Sequence, residues 1–138
     1  MALDFSALDR ALASLGRGVE RSVREPHDEE IRDAVIQRFE YCYELCWKML
    51  KRQLELELPN PGDADRMSYA DLVREGAERS LVAQPQRWLT YRYQRNLTSH
   101  AYDESKAREV YAAAIEFLID ARALLAALKT RGHHGDGR

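Results

Sequence analysis

The feature that most constrains this chain is the spacing of its apolar residues, which recur at steps of three and four and nowhere sustain an alternation. That spacing lays a stripe along one side of a helix, whereas a half-buried strand needs a period of two. Near the start, Phe5, Leu8, Leu12, Leu15, Val19 and Val23 follow one another at steps of 3, 4, 3, 4 and 4. Near the end, Val110, Ala114, Phe117, Ala121, Leu124 and Leu128 do the same, from a helix starting near Asp103. Gly16 and Gly18 weaken the first of these helices, since each costs roughly 1 kcal/mol against Ala.

The segment Asp28–Leu58 carries two stripes. One is Ile31, Val35, Phe39, Cys42, Cys46 and Met49; the other is Ile36, Tyr43, Trp47, Leu50, Leu54 and Leu58. Neighbouring positions on a helix lie about 100° apart, so the stripes together wrap more than half of it. Such a helix is either central in its own bundle or also packs against another chain. Pro59-Asn60-Pro61-Gly62 ends it, with loop expected to about Arg66. Ser68-Tyr69-Ala70-Asp71 has the pattern of a capping box and opens a short helix to about Glu78. A further helix is expected from Pro85 to about Leu97. The expected architecture is an all-α, antiparallel up-and-down bundle of four main helices plus a short one. It forms a single domain over residues 1–130, with a flexible tail at 131–138.

Composition narrows the function. Lys+Arg is 21 and Asp+Glu is 23, a net charge of −2 that excludes binding nucleic acid by bulk positive charge. Two cysteines, Cys42 and Cys46, are too few and too close for a disulfide scaffold, so a reducing, cytoplasmic setting is expected. No uncharged stretch approaches membrane-spanning length, and no signal peptide is evident.

The charges are unevenly placed. Ser80 to Tyr102 has no Asp or Glu, yet holds Arg87, Arg92 and Arg95 among Trp88, Tyr91, Tyr93 and Tyr102. Guanidinium groups beside aromatic faces suit phosphate and unstacked bases. On charge alone, arginines paired with acids of neighbouring helices are the favoured reading. Arg95 and His100, five apart, would point about 140° away from each other on an unbroken helix. Asn96, Thr98 and Ser99 are weak helix formers and Asp103 is a good N-cap, so a break near His100 is expected. The break would let the two side chains approach and set the next helix N-terminus beside them as a further anion site.

Arg95-Asn96-Leu97-Thr98-Ser99-His100-Ala101-Tyr102-Asp103 resembles the R-x4-H-x-Y signature of the HEPN superfamily of small helical bundles. The stretch Phe39-Glu40-Tyr41-Cys42-Tyr43-Glu44-Leu45-Cys46-Trp47-Lys48-Met49-Leu50-Lys51 resembles the second helix of one branch, the nucleotidyltransferase substrate-binding proteins. The resemblance runs from about Phe5 to Leu125, with a loop at Leu58–Arg66 richer in proline than the family pattern. It implies a homodimer, often with both motifs facing one cleft, and a partner minimal nucleotidyltransferase. In toxin members it implies metal-independent RNA cleavage without a cofactor. Arg95 would then bind the scissile phosphate and His100 would act as general acid or base. Asn96, Ser99 and Arg92 are weaker candidates for holding substrate. Tyr102 matches the position that accepts AMP from the partner enzyme, which would place negative charge in the cleft and exclude RNA. The same resemblance allows a non-catalytic subunit that holds a nucleotide or other substrate for the transferase. A structural dimer, with Arg95 and His100 capping helices or pairing with acids, is a third reading.

Other signals have plainer explanations. Cys42 and Cys46 lie on an apolar stripe and are expected to be buried, as is Trp47 to be core or interface. Glu40 and Glu44 are expected to make i, i+4 pairing with Lys48. His27 precedes a helix start, and His133-His134 lies in the tail. Asp63 and Asp65 occupy a Pro/Gly loop without a preceding strand, so the chain is not expected to be the transferase itself.

Overall fold

The structure, a computed structural model, describes residues 3–136, with side chains described to Arg131. Six helices follow in order, and no strand occurs among the described residues. They are α1 (Ser6–Arg24), α2 (Glu29–Glu57), α3 (Asp63–Arg66), α4 (Tyr69–Glu78), α5 (Pro85–Leu97) and α6 (Glu104–Asp136). A 3-10 turn, Thr98–His100, lies between α5 and α6. The all-α bundle expected from the periodicity is what forms. Residues 131–136 of the expected tail continue α6, residues 137–138 lie outside the described residues, and so do the side chains of His133 and His134.

The doubled stripe on α2 is accounted for inside one chain. α2 packs against α1, α6, α4 and α5, and Val35, Phe39, Cys42, Cys46 and Leu54 are fully buried. Around it, Phe117 of α6 makes edge-on contacts with Phe39, Trp88 and Tyr91 at centroid distances of 5.0, 5.6 and 5.3 Å. These rings tie three helices together, and each such contact adds about 0.5–1.5 kcal/mol beyond area burial.

The helix ends follow the side chains available to them. Asp28 caps α2 by accepting from the Glu30 and Ile31 amides at 2.9 and 3.1 Å, which leaves His27 outside the cap. Ser68 and Asp71 form the expected capping box of α4. Three expectations need correcting. Val23 is 64% exposed, because Ser22 takes the inward position and hydrogen-bonds Tyr111 at 2.7 Å. The loop before Arg66 contains the single turn α3, which buries Ala64 and lays Asp65 against Lys51 at 2.8 Å. Gly16 and Gly18 do not interrupt α1, and arginines from two other helices lie across it there. A methyl group at Gly16 would come within 2.5 Å of the Arg122 guanidinium, and one at Gly18 within 3.0 Å of Arg38.

Phe117→Ala should lower unfolding stability by about 3–5 kcal/mol, whereas Ile119→Ala, at an exposed position, should stay within about 0.5 kcal/mol. Urea unfolding followed by circular dichroism measures both.

Candidate functional site

α5 buries Trp88, Tyr91 and Gln94 and turns its arginines outward along its flanks. Each arginine has found a different partner. Arg87 reaches Asp120 of α6 at 3.3 Å, the same carboxylate that accepts from the Tyr91 hydroxyl. Arg92 lies over the Tyr69 ring, 4.9 Å from its centroid. Arg95 donates from Nε to Oε1 of Glu44 at 2.9 Å, and the Trp47 indole donates to the other oxygen of Glu44 at 3.1 Å. Pairing with acids of other helices therefore describes two of the three arginines.

Glu40 and Glu44 do not pair with Lys48 among the described ion pairs, which corrects the expectation from their spacing. Glu44 holds Arg95, and one turn earlier Glu40 accepts from the Thr98 hydroxyl. The two carboxylates fasten the end of α5 and the following turn to the central helix. Sequence reasoning missed this role. The available signal was a stretch of 23 residues without a carboxylate facing a helix that carries two in register.

A cleft of about 530 Å³ opens beside this junction, walled by α2, the α3–α4 segment and α5. Trp47 and Tyr69 meet edge-on at 6.5 Å within its wall, and Lys51, Arg92, Arg95 and Asn96 line it. Burial pushes the Tyr43 phenol up to about 12, and burial together with Tyr43 raises that of Tyr69 as well. Both phenols stay neutral near pH 7 and add no negative charge to the cleft.

The expected break is present, but it does not bring Arg95 and His100 together. No hydrogen bond joins them among the described residues, and His100 does not line the cleft. The break is a 3-10 turn, which winds more tightly without reversing the chain. Two α-helical steps and three 3-10 steps leave the two positions about 160° apart around the axis. His100 is exposed and lies against Tyr102, with ring centroids 6.2 Å apart. Tyr102 is 87% exposed and borders a second hollow of about 420 Å³ with Asp33, Gln37 and Glu40. Ser99 turns back to the Asn96 carbonyl at 3.3 Å. The α6 N-terminus is not an open anion site, because Asp103 accepts from the Ser105 and Lys106 amides at 2.9 and 3.3 Å.

Cys42 and Cys46 are fully buried, and burial pushes the Cys42 thiol up to about 12 and Cys46 higher than usual. Among the described residues, no three His, Cys, Asp or Glu side chains cluster as a metal site, and no helix is long and apolar enough to cross a membrane.

Residues 3–130 match the family model described as nucleotidyltransferase substrate binding protein like. The chain belongs to this family. A Haemophilus influenzae protein named probable ribonuclease HepT is 36% identical over 140 residues, covering 96% of each chain. A solved Haemophilus influenzae structure, described as the fold of a substrate binding domain of a nucleotidyltransferase, superposes with a TM-score of 0.86 at 34% identity. It covers 91% of this chain and 99% of its own. A crystal structure from Thermus thermophilus gives a TM-score of 0.70 at 28% identity, covering 88% and 98%.

Two measurements test this geometry. Both thiols should resist a disulfide reagent at pH 8 in the folded protein and react fully in denaturant. A double-mutant cycle of Glu44→Ala and Arg95→Ala should give a coupling of about 0.5–1 kcal/mol, as fits a pair one-third exposed.

Proposed function

We propose that the protein is a HEPN-type ribonuclease of a toxin–antitoxin pair, cutting RNA without a metal and neutralised by a partner minimal nucleotidyltransferase. The observation that carries this reading is how Arg95 is presented. Glu44 engages only Nε, so both η nitrogens remain without a protein partner among the described residues, at a cleft that also holds Arg92. Those nitrogens form a fork suited to two phosphate oxygens. The exposed imidazole of His100 follows on the adjoining turn. The relative named probable ribonuclease HepT supports the same reading over nearly the whole chain.

In the reaction the 2′-oxygen attacks phosphorus, the 5′-oxygen leaves, and a 2′,3′-cyclic phosphate remains. His100 takes the 2′-hydroxyl proton or supplies one to the leaving oxygen, and Arg95 stabilises the charge that gathers on the phosphoryl oxygens. In a homodimer that imidazole comes from the second copy of the chain, since Arg95 and His100 of one chain point apart. Tyr102, almost wholly exposed beside His100, is the AMP acceptor through which the transferase silences the nuclease.

One observation favours a second reading, a non-catalytic subunit that holds a nucleotide for the transferase: the basic cleft lies on Arg95 and not on His100. Labelled RNA incubated with the protein in EDTA separates the two. His100→Ala should slow cleavage by about 10²–10⁴-fold and Arg95→Ala by about 10²–10³-fold. No cleavage by the parent protein, with nucleotide-dependent binding to the transferase, would overturn the ribonuclease in favour of the subunit.

A further inference from the structure

The segment that carries His100 and Tyr102 is held by little packing of its own. None of residues 95–106 is buried, whereas Gln94 before them and Ala107 after them are. Between this excursion and α2 lies the hollow of about 420 Å³, with Asp33, Ile36, Gln37 and Glu40 on one side and Thr98, Ala101 and Tyr102 on the other. A turn without buried side chains, standing beside open space, settles elsewhere unless polar contacts fix it. Three such contacts do so. Gln94 donates from Nε2 to Glu109 at 2.8 Å and closes the base of the excursion. On the near side of His100, the Thr98 hydroxyl donates to Glu40. On the far side, Arg32 of α2 donates from one η nitrogen to both oxygens of Glu104, at 2.9 and 2.8 Å. Arg32 is itself set, since its side chain is only 16% exposed and Asp33 lies 3.3 Å from it.

We propose that Glu40 and Arg32 are positioning residues for His100 and Tyr102, an inference that rests on the ribonuclease reading for the step it serves. α2 grips the chain two residues before the imidazole and four after it. The two grips stand eight residues apart, about 12 Å along one rigid helix, so both ends of the turn are referred to the same element. Neither Glu40 nor Arg32 lines the cleft of Arg95, and Arg95 has its own anchor in Glu44. Loss of a grip therefore displaces the imidazole and leaves the phosphate ligand where it was. A displacement of about 1 Å at a reacting group costs on the order of 10²-fold in rate. Tyr102 moves with it, because its ring lies against His100 at 6.2 Å.

Thr98→Val removes the hydroxyl at nearly constant shape and Thr98→Ser keeps it; Arg32→Met removes the charge and Arg32→Lys keeps it. Circular dichroism confirms the fold of each. With labelled RNA, Thr98→Val and Arg32→Met should lower kcat by about 10²-fold at unchanged KM, and the Ser and Lys variants should recover most of the rate. A second readout needs no activity. The His100 ring protons, assigned by difference from His100→Ala, carry a ring-current shift from Tyr102 that Tyr102→Leu calibrates. In Thr98→Val and Arg32→Met that shift should collapse towards the Tyr102→Leu value, while Thr98→Ser keeps the parental one.

Unchanged kcat, a loss confined to KM, or parental His100 signals in Thr98→Val and Arg32→Met would each sink the positioning role and leave the ribonuclease standing. A parent protein that cuts no RNA ends the ribonuclease instead, and the imidazole signals then decide by themselves whether Glu40 and Arg32 set the turn.

Discussion

Everything in this molecule is arranged around one helix that has to be covered on most of its circumference. α2 presents two apolar stripes, and four other helices are needed to bury them. α1 and α6 cover one side, α4 and α5 the other. That division explains why the segment from Pro59 to Glu78 folds into short helices instead of a hairpin: it has to carry the chain across α2 and still cover it. It also removes the sequence argument for a second subunit on α2, because the doubled stripe is consumed within the chain.

A helix so enclosed has little room for charge, which gives Glu40 and Glu44 their significance. Each sits at the edge of the covered face, and each is met by a donor from the segment that lacks carboxylates. A partly enclosed carboxylate without a donor would be costly, so the two acids and the α5 end specify each other's position. The Glu44 pair is a third exposed and contributes modestly to stability. Its larger effect is geometric. Arg95 and Trp47 share one carboxylate, so a guanidinium and an indole are held at fixed places in the wall of the same cleft.

Much of this was legible in the sequence. The step pattern gave the helices, Asp28, Ser68 and Pro85 gave three of their starts, and the weak helix formers after Arg95 placed the break. Cys42 and Cys46 were readable as packing from their stripe. What stayed hidden depended on contacts between elements distant in sequence. Lys48 is the local partner that spacing suggests for Glu44, but Arg95 lies 51 residues away and is the one the fold delivers. The glycines of α1 looked like weak points until the arginines of α2 and α6 that occupy their space were visible. α3 was not legible because a single turn following two prolines carries no periodicity to read.

The break after α5 bears directly on which function the site can perform. A kink would have folded His100 back toward Arg95, but a 3-10 turn only adds about 20° per residue to the winding. The guanidinium therefore belongs to the cleft and the imidazole to the surface shared with Tyr102. One phosphate held by Arg95 on the cleft side is not also served by the same chain's His100. On the ribonuclease reading, the imidazole for that phosphate comes from a second copy of the chain, whose own Arg95 is served in return. Two-fold symmetry makes that exchange self-complementary. On the subunit reading, one copy suffices, because holding a nucleotide needs the cleft and not the imidazole. The turn geometry thus separates the two readings: the proposed cleavage calls for a paired form, and binding in the cleft does not.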